Sequence, residues 1–461
     1  MAKRTRHIKL GLFLIVDGSH EAAWRHPDAT SARGMAFKRY VDVVTTADRN
    51  FFDFVFLADT LGITSDNLPM ISRNARSECY DPIVLLSALA PFTQAVGLVA
   101  TASTSYNDPY QVARRFASLD HLSDGRAGWN VVTSANRFEA LNLSSDDLPP
   151  HEARYRRARE FVSVVKGLWD SWDDHAFVRD KESGLYFEPS KMHVLDHRGE
   201  FFSVRGPLNI PRSPQGHPVI VQAGSSEDGQ DLAAATADVV FTAQDNLADA
   251  RDFYAKLKAR LQRYDRGEED LIIMPGIFPV VGRTQGEAED RFESLQSLLH
   301  PDVGIPFISR LGGLDLSGLA LDDMLPSVID ATNSSKSRQK LFVATARRDS
   351  LTIRQMFMRF AGARGHLQVV GTAATIADCI EEWVSTRAAD GFNVMPPLLP
   401  SSMNDFKDLV IPELQRRGLL SSAIRTGTLR EKLGLRHPPD MSHVYASDRP
   451  DELPLHSRIE P

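Results

Sequence analysis

VGLVATASTSYNDPYQVARRFASLDHLSDGRAGWNVVTSAN, residues 96–136, holds two strand–helix passages in series. The apolar run at residues 96–100 ends in the small hydroxyl residues Thr101, Ser103, Thr104 and Ser105. Asn107, Asp108 and Pro109 supply the cap and the fixed first turn of a helix. Val112, Phe116 and Leu119 recur along it at helical spacing. Ser123, Asp124 and Gly125 end it. A second apolar run starts at Ala127 and finishes in Asn130, Thr133, Ser134 and Asn136. Strands that alternate with helices and end in donors and acceptors describe a parallel α/β sheet, whose site lies at the C-terminal strand ends.

The same rhythm extends both ways. Upstream, residues 8–16 read as a buried strand followed by the loop DGSHEAAWRHP. Residues 35–50 read as an amphipathic helix, 54–58 as a second strand ending at Asp59, and 80–91 as a helix opened by Asp81 and Pro82. Downstream, 151–172 is helical, and 173–217 is a polar and aromatic excursion with hairpin-like pieces. Residues 218–222, 237–242 and 272–281 are strands alternating with helices at 230–236, 247–264 and 284–299. Residues 300–365 carry several short helical patterns and read as a helical insertion. A helix at 375–387, a last strand at 392–395 and a closing helix at 405–417 follow. Eight strands without a Gly-rich dinucleotide fingerprint favour a TIM (β/α)8 barrel with helical insertions over a doubly wound sheet. One barrel domain is expected over residues 1–435, with a C-terminal tail at 436–461.

Composition narrows the function. With 42% hydrophobic and 25% charged residues the chain is an ordinary soluble type, and a net charge of −7 speaks against nucleic acid as a partner. Cys79 and Cys379 fit no metal or redox motif and read as buried or half-buried thiols in a reducing compartment. The N-terminal MAKRTRHIKLGLFLIVDG is basic and then apolar, but its apolar run is short and ends in Asp17 and Gly18 without a small-residue cleavage site. It reads as a strand, and no run approaches membrane-spanning length. The expectation is a cytoplasmic protein without a membrane partner.

In a barrel, His20, Asp59, Ser103, Thr104, Asn130, Thr133, Ser225 and Ser226 would converge on one mouth. Most are neutral hydrogen-bonding groups. That set suits a large polar ligand such as a flavin better than a hydrolytic metal, which needs several His or carboxylate ligands. In AGSSEDG, a helix start with two hydroxyls could bind a phosphate or simply cap the helix. His151 and Tyr155, four apart, share a helix face near its start. His20 is the best-placed ionisable group, as proton donor or hydrogen-bonding group. Phe13, Trp24, Phe56 and Trp129 are candidate pocket walls, or core. His193 and His197 are four apart but flank no clear strand end, so no metal site is expected.

At this point the residues resemble a known family, the bacterial luciferase-like flavin monooxygenases, and within it the branch of nitrilotriacetate, EDTA and dibenzothiophene-sulfone monooxygenases. The segments that carry the resemblance are AWRHPDA, FFDFVFLADT, ALAPFTQAVGLVATASTSYNDPYQVARRFASLDHLSDGRAGWNVVTS, RYRRAREFVSVVKGLWDSW, GEFFSVRGPLNIPRSPQGHPVIVQAGSSEDG and GFNVMPP. The resemblance implies a TIM barrel that binds FMN non-covalently. Reduced FMN would come from a separate NAD(P)H-dependent flavin reductase. Oxygen would add to it as a C4a-(hydro)peroxide that oxygenates a small organic substrate. It also implies a homodimer or homotetramer. The family's cofactor positions match Asp59, Thr104, Asn130, His151, Tyr155, Ser225 and Ser226, and His20 falls in the active-site loop before Trp24 and Arg25. Residues 60–79 and 300–350, where a substrate pocket would be built, match no particular member. Alternatives are a deazaflavin-dependent oxidoreductase, a non-catalytic flavin-binding protein and a metal-dependent hydrolase.

Overall fold

Side chains in each strand sort onto two faces with a period of two. In β1 (Lys9–Phe13), Leu10 and Leu12 pack outward into the helical layer, while Phe13 joins an inner cluster with Phe56 and Phe241. The same alternation runs through β2 (Phe54–Leu57), β3 (Gly97–Ser103) and β4 (Ala127–Val132). The computed structural model describes residues 7–15, 17–29, 35–143 and 147–439. Most of the expected tail, residues 440–461, lies outside them, as do residues 1–6 of the basic N-terminus, Val16 at the end of the first expected strand, and 144–146.

After β4 come a two-stranded antiparallel hairpin, β5 (His197–Arg198) and β6 (Ser203–Val204), and then β7 (Val219–Gln222), β8 (Val239–Thr242) and β9 (Ile272–Val281). The last strands are β10 (Leu367–Gly371) and β11 (Gly391–Val394). Every pairing in the main sheet is parallel. The order β11-β1-β2-β3-β4-β7-β8-β9 closes through β9 pairing with β11, giving an eight-stranded barrel. The expected TIM barrel is therefore present.

One strand escapes the sequence reading. β8 pairs with β9 only as far as Thr242↔Pro275, yet β9 runs on to Val281. Its upper backbone needs partners, and β10 supplies them from Leu367↔Ile277 to Gly371↔Val281. The main sheet therefore has nine strands. The short LQVVG run lies directly after the inserted helices, where no strand–helix alternation marks it.

Helix starts follow the local chemistry. Asp108 Oδ1 accepts from Gln111 N at 3.1 Å and opens Pro109–Leu122, as its Asp-Pro pair implies. The expected insertion is helical: Pro301–Gly312, Lys336–Arg348 and Ile353–Ala363 build a hydrophobic cluster of their own. Met70, from the turn Leu68–Ile71, joins that cluster. At the opposite end, the helix Leu429–Leu433 presses Leu429 and Leu433 into the barrel's inner core. Gly97 leaves room for it, since a Cβ there would lie 2.6 Å from Leu429 Cδ1.

Candidate functional site at the barrel mouth

The C-terminal strand ends and the inserted helices enclose a chain of abutting cavities. One of about 140 Å³ lies over β4 and β7. A second of about 900 Å³ shares Ala135, Ser334 and Ser335 with the first. A third, of about 210 Å³, shares Thr60, Thr64 and Arg310 with the second and runs down beside β1 and β2.

The 140 Å³ cavity brings His151, Tyr155, Ser225 and Ser226 together, with Thr133 and Gly224. Ser226 caps the helix Glu227–Thr236, accepting from Gly229 N at 3.2 Å, so the helix N-terminus faces the cavity. Ser226 Oγ is 3.4 Å from the Tyr155 hydroxyl, and Ser225 Oγ is 3.3 Å from Thr242 Oγ1. His151 Nδ1 lies 3.2 Å from Asp228. Burial, with help from Lys336 and Arg154, lowers the His151 pKa. Of the acids in that first turn, Glu227 is drawn aside into an ion pair with Arg260, while Asp228 stays beside His151.

The 210 Å³ cavity holds Phe13, His20, Trp24 and Asp59. His20 is 2% exposed. Its Nδ1 accepts from Ala22 N at 3.2 Å, so Nε2 carries the proton and donates to Gln296 Oε1 at 3.2 Å. Gln296 is held in turn by donating to Met358 O at 2.8 Å. Burial pushes the His20 pKa down to about 4, against the opposing pull of the Gln296 bond and Glu21, so the ring is neutral at pH 7. Burial, then the charge of Asp81, raises Asp59 to about 6. Trp24 Nε1 donates to Arg73 O at 3.1 Å and ties the two flanking loops together.

The other expected residues lie under the mouth. Asn130 points into the barrel with its Nδ2 donating to Thr101 Oγ1 at 2.9 Å, while its Oδ1 is buried without a partner. Ser103 Oγ is 2.8 Å from Ser134 Oγ. Thr104 is fully buried and donates to Val132 O at 3.1 Å, so its hydroxyl is sealed beneath the mouth rather than lining a cavity. Phe56 lines none of these three cavities. It stacks inside the barrel 5.3 Å from Phe13 and 5.4 Å from Phe241. Trp129 lies on the outer face of β4, among Phe116, Phe161 and Trp169, because odd and even positions of a strand face opposite sides. His193 pairs with Asp173 and His197 with Glu160, so the two histidines serve different contacts. Among the described residues no group of three or more His, Cys, Asp or Glu is placed to hold a metal ion, and no helix is long and apolar enough to cross a membrane. Cys379 is half-buried, but Cys79 is exposed and lines the 210 Å³ cavity, because the polar 60–79 loop leaves it nothing to pack under.

A family model for luciferase-like monooxygenases matches residues 13–390. The chain belongs to that family. It is 50% identical over 440 residues to the N-acetyl-S-(2-succino)cysteine monooxygenase of Bacillus subtilis (strain 168), covering 95% of this chain and 99% of that one. Identity to nitrilotriacetate monooxygenase component A of Aminobacter aminovorans is 46% over 441 residues, covering 94% and 97%. A solved riboflavin lyase, with modified FMN and substrate riboflavin, matches at a TM-score of 0.84 and 30% identity over 96% of this chain and 99% of that one. This luciferase-like monooxygenase is thus an oxidoreductase enzyme on the expected barrel type.

Several mouth residues of the monooxygenase went unnoticed in sequence. Arg154 lines the 140 Å³ cavity between His151 and Tyr155, donating to Ser134 O at 2.6 Å and Asn333 O at 2.5 Å with Nε left unpartnered. Its three-residue offset from His151 was a usable signal. Lys336, Arg76, Arg310 and Arg364 come from the loop and insertion, whose sequences have no regular period to place them.

Proposed function

We propose that this protein is the oxygenating component of a two-component system. It takes reduced FMN from a separate NAD(P)H:flavin reductase and uses O2 to oxygenate a small organic substrate, of aminopolycarboxylate, organosulfur or related type. The observation that carries this reading is the donor set of the 140 Å³ cavity, where Arg154, Lys336, two serines, a tyrosine and a helix N-terminus converge. Such a set fits a phosphate. The unpartnered Arg154 Nε and Asn130 Oδ1 fit an absent polar ligand with both acceptors and donors.

Bound reduced FMN would supply the electrons and the ring at which oxygen is activated. Ser225, Ser226, Tyr155, His151, Arg154 and Lys336 would hold its phosphate end. Asp59 and Asn130 would hydrogen-bond its ring, with Ser103 and Thr104 bracing the strand ends beneath. His20 would stand beside the reacting edge as a neutral ring, held in place by Ala22 N and Gln296, with Phe13 and Trp24 beside it. The inserted helices would keep water from that edge. We further place the protein in the cytoplasm as a homodimer or homotetramer, with residues 1–435 as one barrel domain.

The test supplies purified protein, FMN, NADH and a generic flavin reductase under labelled dioxygen, with aminopolycarboxylates and organosulfur compounds as candidates. One labelled oxygen atom should enter the product, and none without reductase. Oxidation that continues without oxygen or flavin would overturn the proposal.

A further inference from the structure

Three arginines crowd the far end of the mouth. Arg76, from the 60–79 loop, Arg310, from the inserted helix Pro301–Gly312, and Arg364, just past Ile353–Ala363, all line the 210 Å³ cavity. Glu21 is the carboxylate whose charge bears on both Arg310 and Arg364. Arg364 Nη2 donates to Glu21 Oε2 at 2.5 Å, and Arg76 Nε lies 3.6 Å from the same oxygen. Burial alone would raise the Glu21 pKa, but Arg364, Arg76 and Arg310 outweigh it and hold the carboxyl ionised. His20, beside them, is neutral. Glu21 is thus the one carboxylate shared among the three guanidiniums, while Asp17, paired with Arg39, and Asp59 and Glu78 line the same cavity.

Arg310 is the group left over. Its Nε and Nη2 are buried without a hydrogen-bond partner, and its side chain lines both the 210 Å³ and the 900 Å³ cavities. A guanidinium taken out of water is costly unless an anion meets it. Its planar fork matches a carboxylate in a two-point contact, and Arg76 is only loosely engaged, donating to Ser19 O at 3.4 Å.

We infer that Arg310 and Arg76 select a substrate that carries carboxylates, with Glu21 and Arg364 as the fixed frame behind them. This rests on the monooxygenase reading above and narrows its substrate to an organic anion. The unpartnered Arg310 fork suits one carboxylate and the loosely held Arg76 a second, leaving the rest of the molecule to reach past His20. Both selecting arginines come from segments outside the barrel strands, so substrate choice is set apart from the machinery common to the mouth.

The test is calorimetric binding of nitrilotriacetate and tricarballylate to the full chain, against their trimethyl esters, with FMN present to fill the phosphate end. The acids should bind and the esters should bind at least tenfold more weakly. Arg310→Ala and Arg76→Ala should each weaken acid binding about tenfold or more, and Arg310→Lys should recover part of it. Equal binding of acids and esters, no binding of either acid, or unchanged binding in both alanine variants would overturn the inference. Should a variant fail to fold, the acid–ester comparison on the unaltered protein decides alone. FMN affinity, measured separately on the unaltered protein, tests the flavin reading by itself.

Discussion

Ser226 and Tyr155 meet at 3.4 Å although 71 positions separate them in the chain. Each is neutral, so each is expected to contribute one ordinary hydrogen bond to a phosphate, worth about 1 kcal/mol. Ser225→Ala and Tyr155→Phe should each weaken FMN binding by roughly fivefold, read by flavin fluorescence, with little change in melting temperature. His20 and Asp59 predict opposite pH effects on stability. His20 is held near 4 in the fold and has its ordinary value when unfolded, so the unfolded chain takes up a proton between about pH 6.5 and 4 and stability falls as pH falls. The cost at the acid end is on the order of 3 kcal/mol. Asp59 is raised to about 6, so the folded chain takes up its proton first, and its stabilising share is lost as pH rises from 3.8 through 6. In thermal melts, His20→Gln should gain on the unaltered protein as pH drops from 6.5 to 4. Asp59→Asn should be the more stable form above pH 6, with its advantage shrinking towards pH 4.

At the scale of elements, the helix Leu429–Leu433 closes the lower end of the barrel although it is only five residues long. Thr428 and Glu431 form its capping box, with Thr428 N donating to Glu431 Oε2 at 2.8 Å, and Leu429 is fully buried. Leu429→Ala should cost roughly 2–4 kcal/mol, seen as a lower urea midpoint with an unchanged slope. Thr428→Ala should cost only about 1 kcal/mol. Nothing in the local sequence marks this helix as a plug, because its apolar partners, Phe54, Val99 and Val219, are distant in the chain. The barrel strands were legible for the opposite reason. Each is a short apolar run with its own flanking helix and cap, as in the Asp108–Pro109 start, so local chemistry suffices to place it. β10 has no such frame, since its pairing is dictated by the surplus length of β9. The site divides the same way. His20, Asp59, Ser225 and Tyr155 sit at strand ends or near a helix start, so their place along the cavities could be expected from sequence, whereas the placement of Thr104 and Phe56 depends on which way the strand and its end face. Arg310 and Arg364 depend on how an aperiodic insertion folds back.

Across the whole molecule, the insertion has a core distinct from the two barrel clusters, with Phe342 and Phe360 stacked 3.8 Å apart at its centre. It meets the barrel through Ala363 and Gly362, packed on the inner cluster at Phe278, and meets the mouth through polar ties. Arg154 donates to Asn333 O, Ser334 Oγ donates to Ala135 O at 2.8 Å, and Arg364 pairs with Glu21. Where a segment joins such an insertion mainly by polar contacts, it can loosen before the cores on either side unfold. The joining segment between Pro301–Gly312 and Lys336–Arg348 is largely exposed, with Val328 at 78%. It is therefore the expected first site of proteolysis. It contains no Lys or Arg between Arg310 and Lys336, so trypsin would miss it and proteinase K is the suitable probe. Asn333 to Ser337 also border the proposed phosphate end, partly through Arg154. FMN should then slow cleavage within residues 315–332 several-fold, while cuts at the far end of the chain keep their rate. Arg154→Met should abolish that protection while the barrel fragment itself stays resistant. Mass spectrometry of timed digests reads both results. An unchanged cutting rate with saturating FMN would show that the insertion closes independently of the flavin, and that the join is fixed by its own contacts alone.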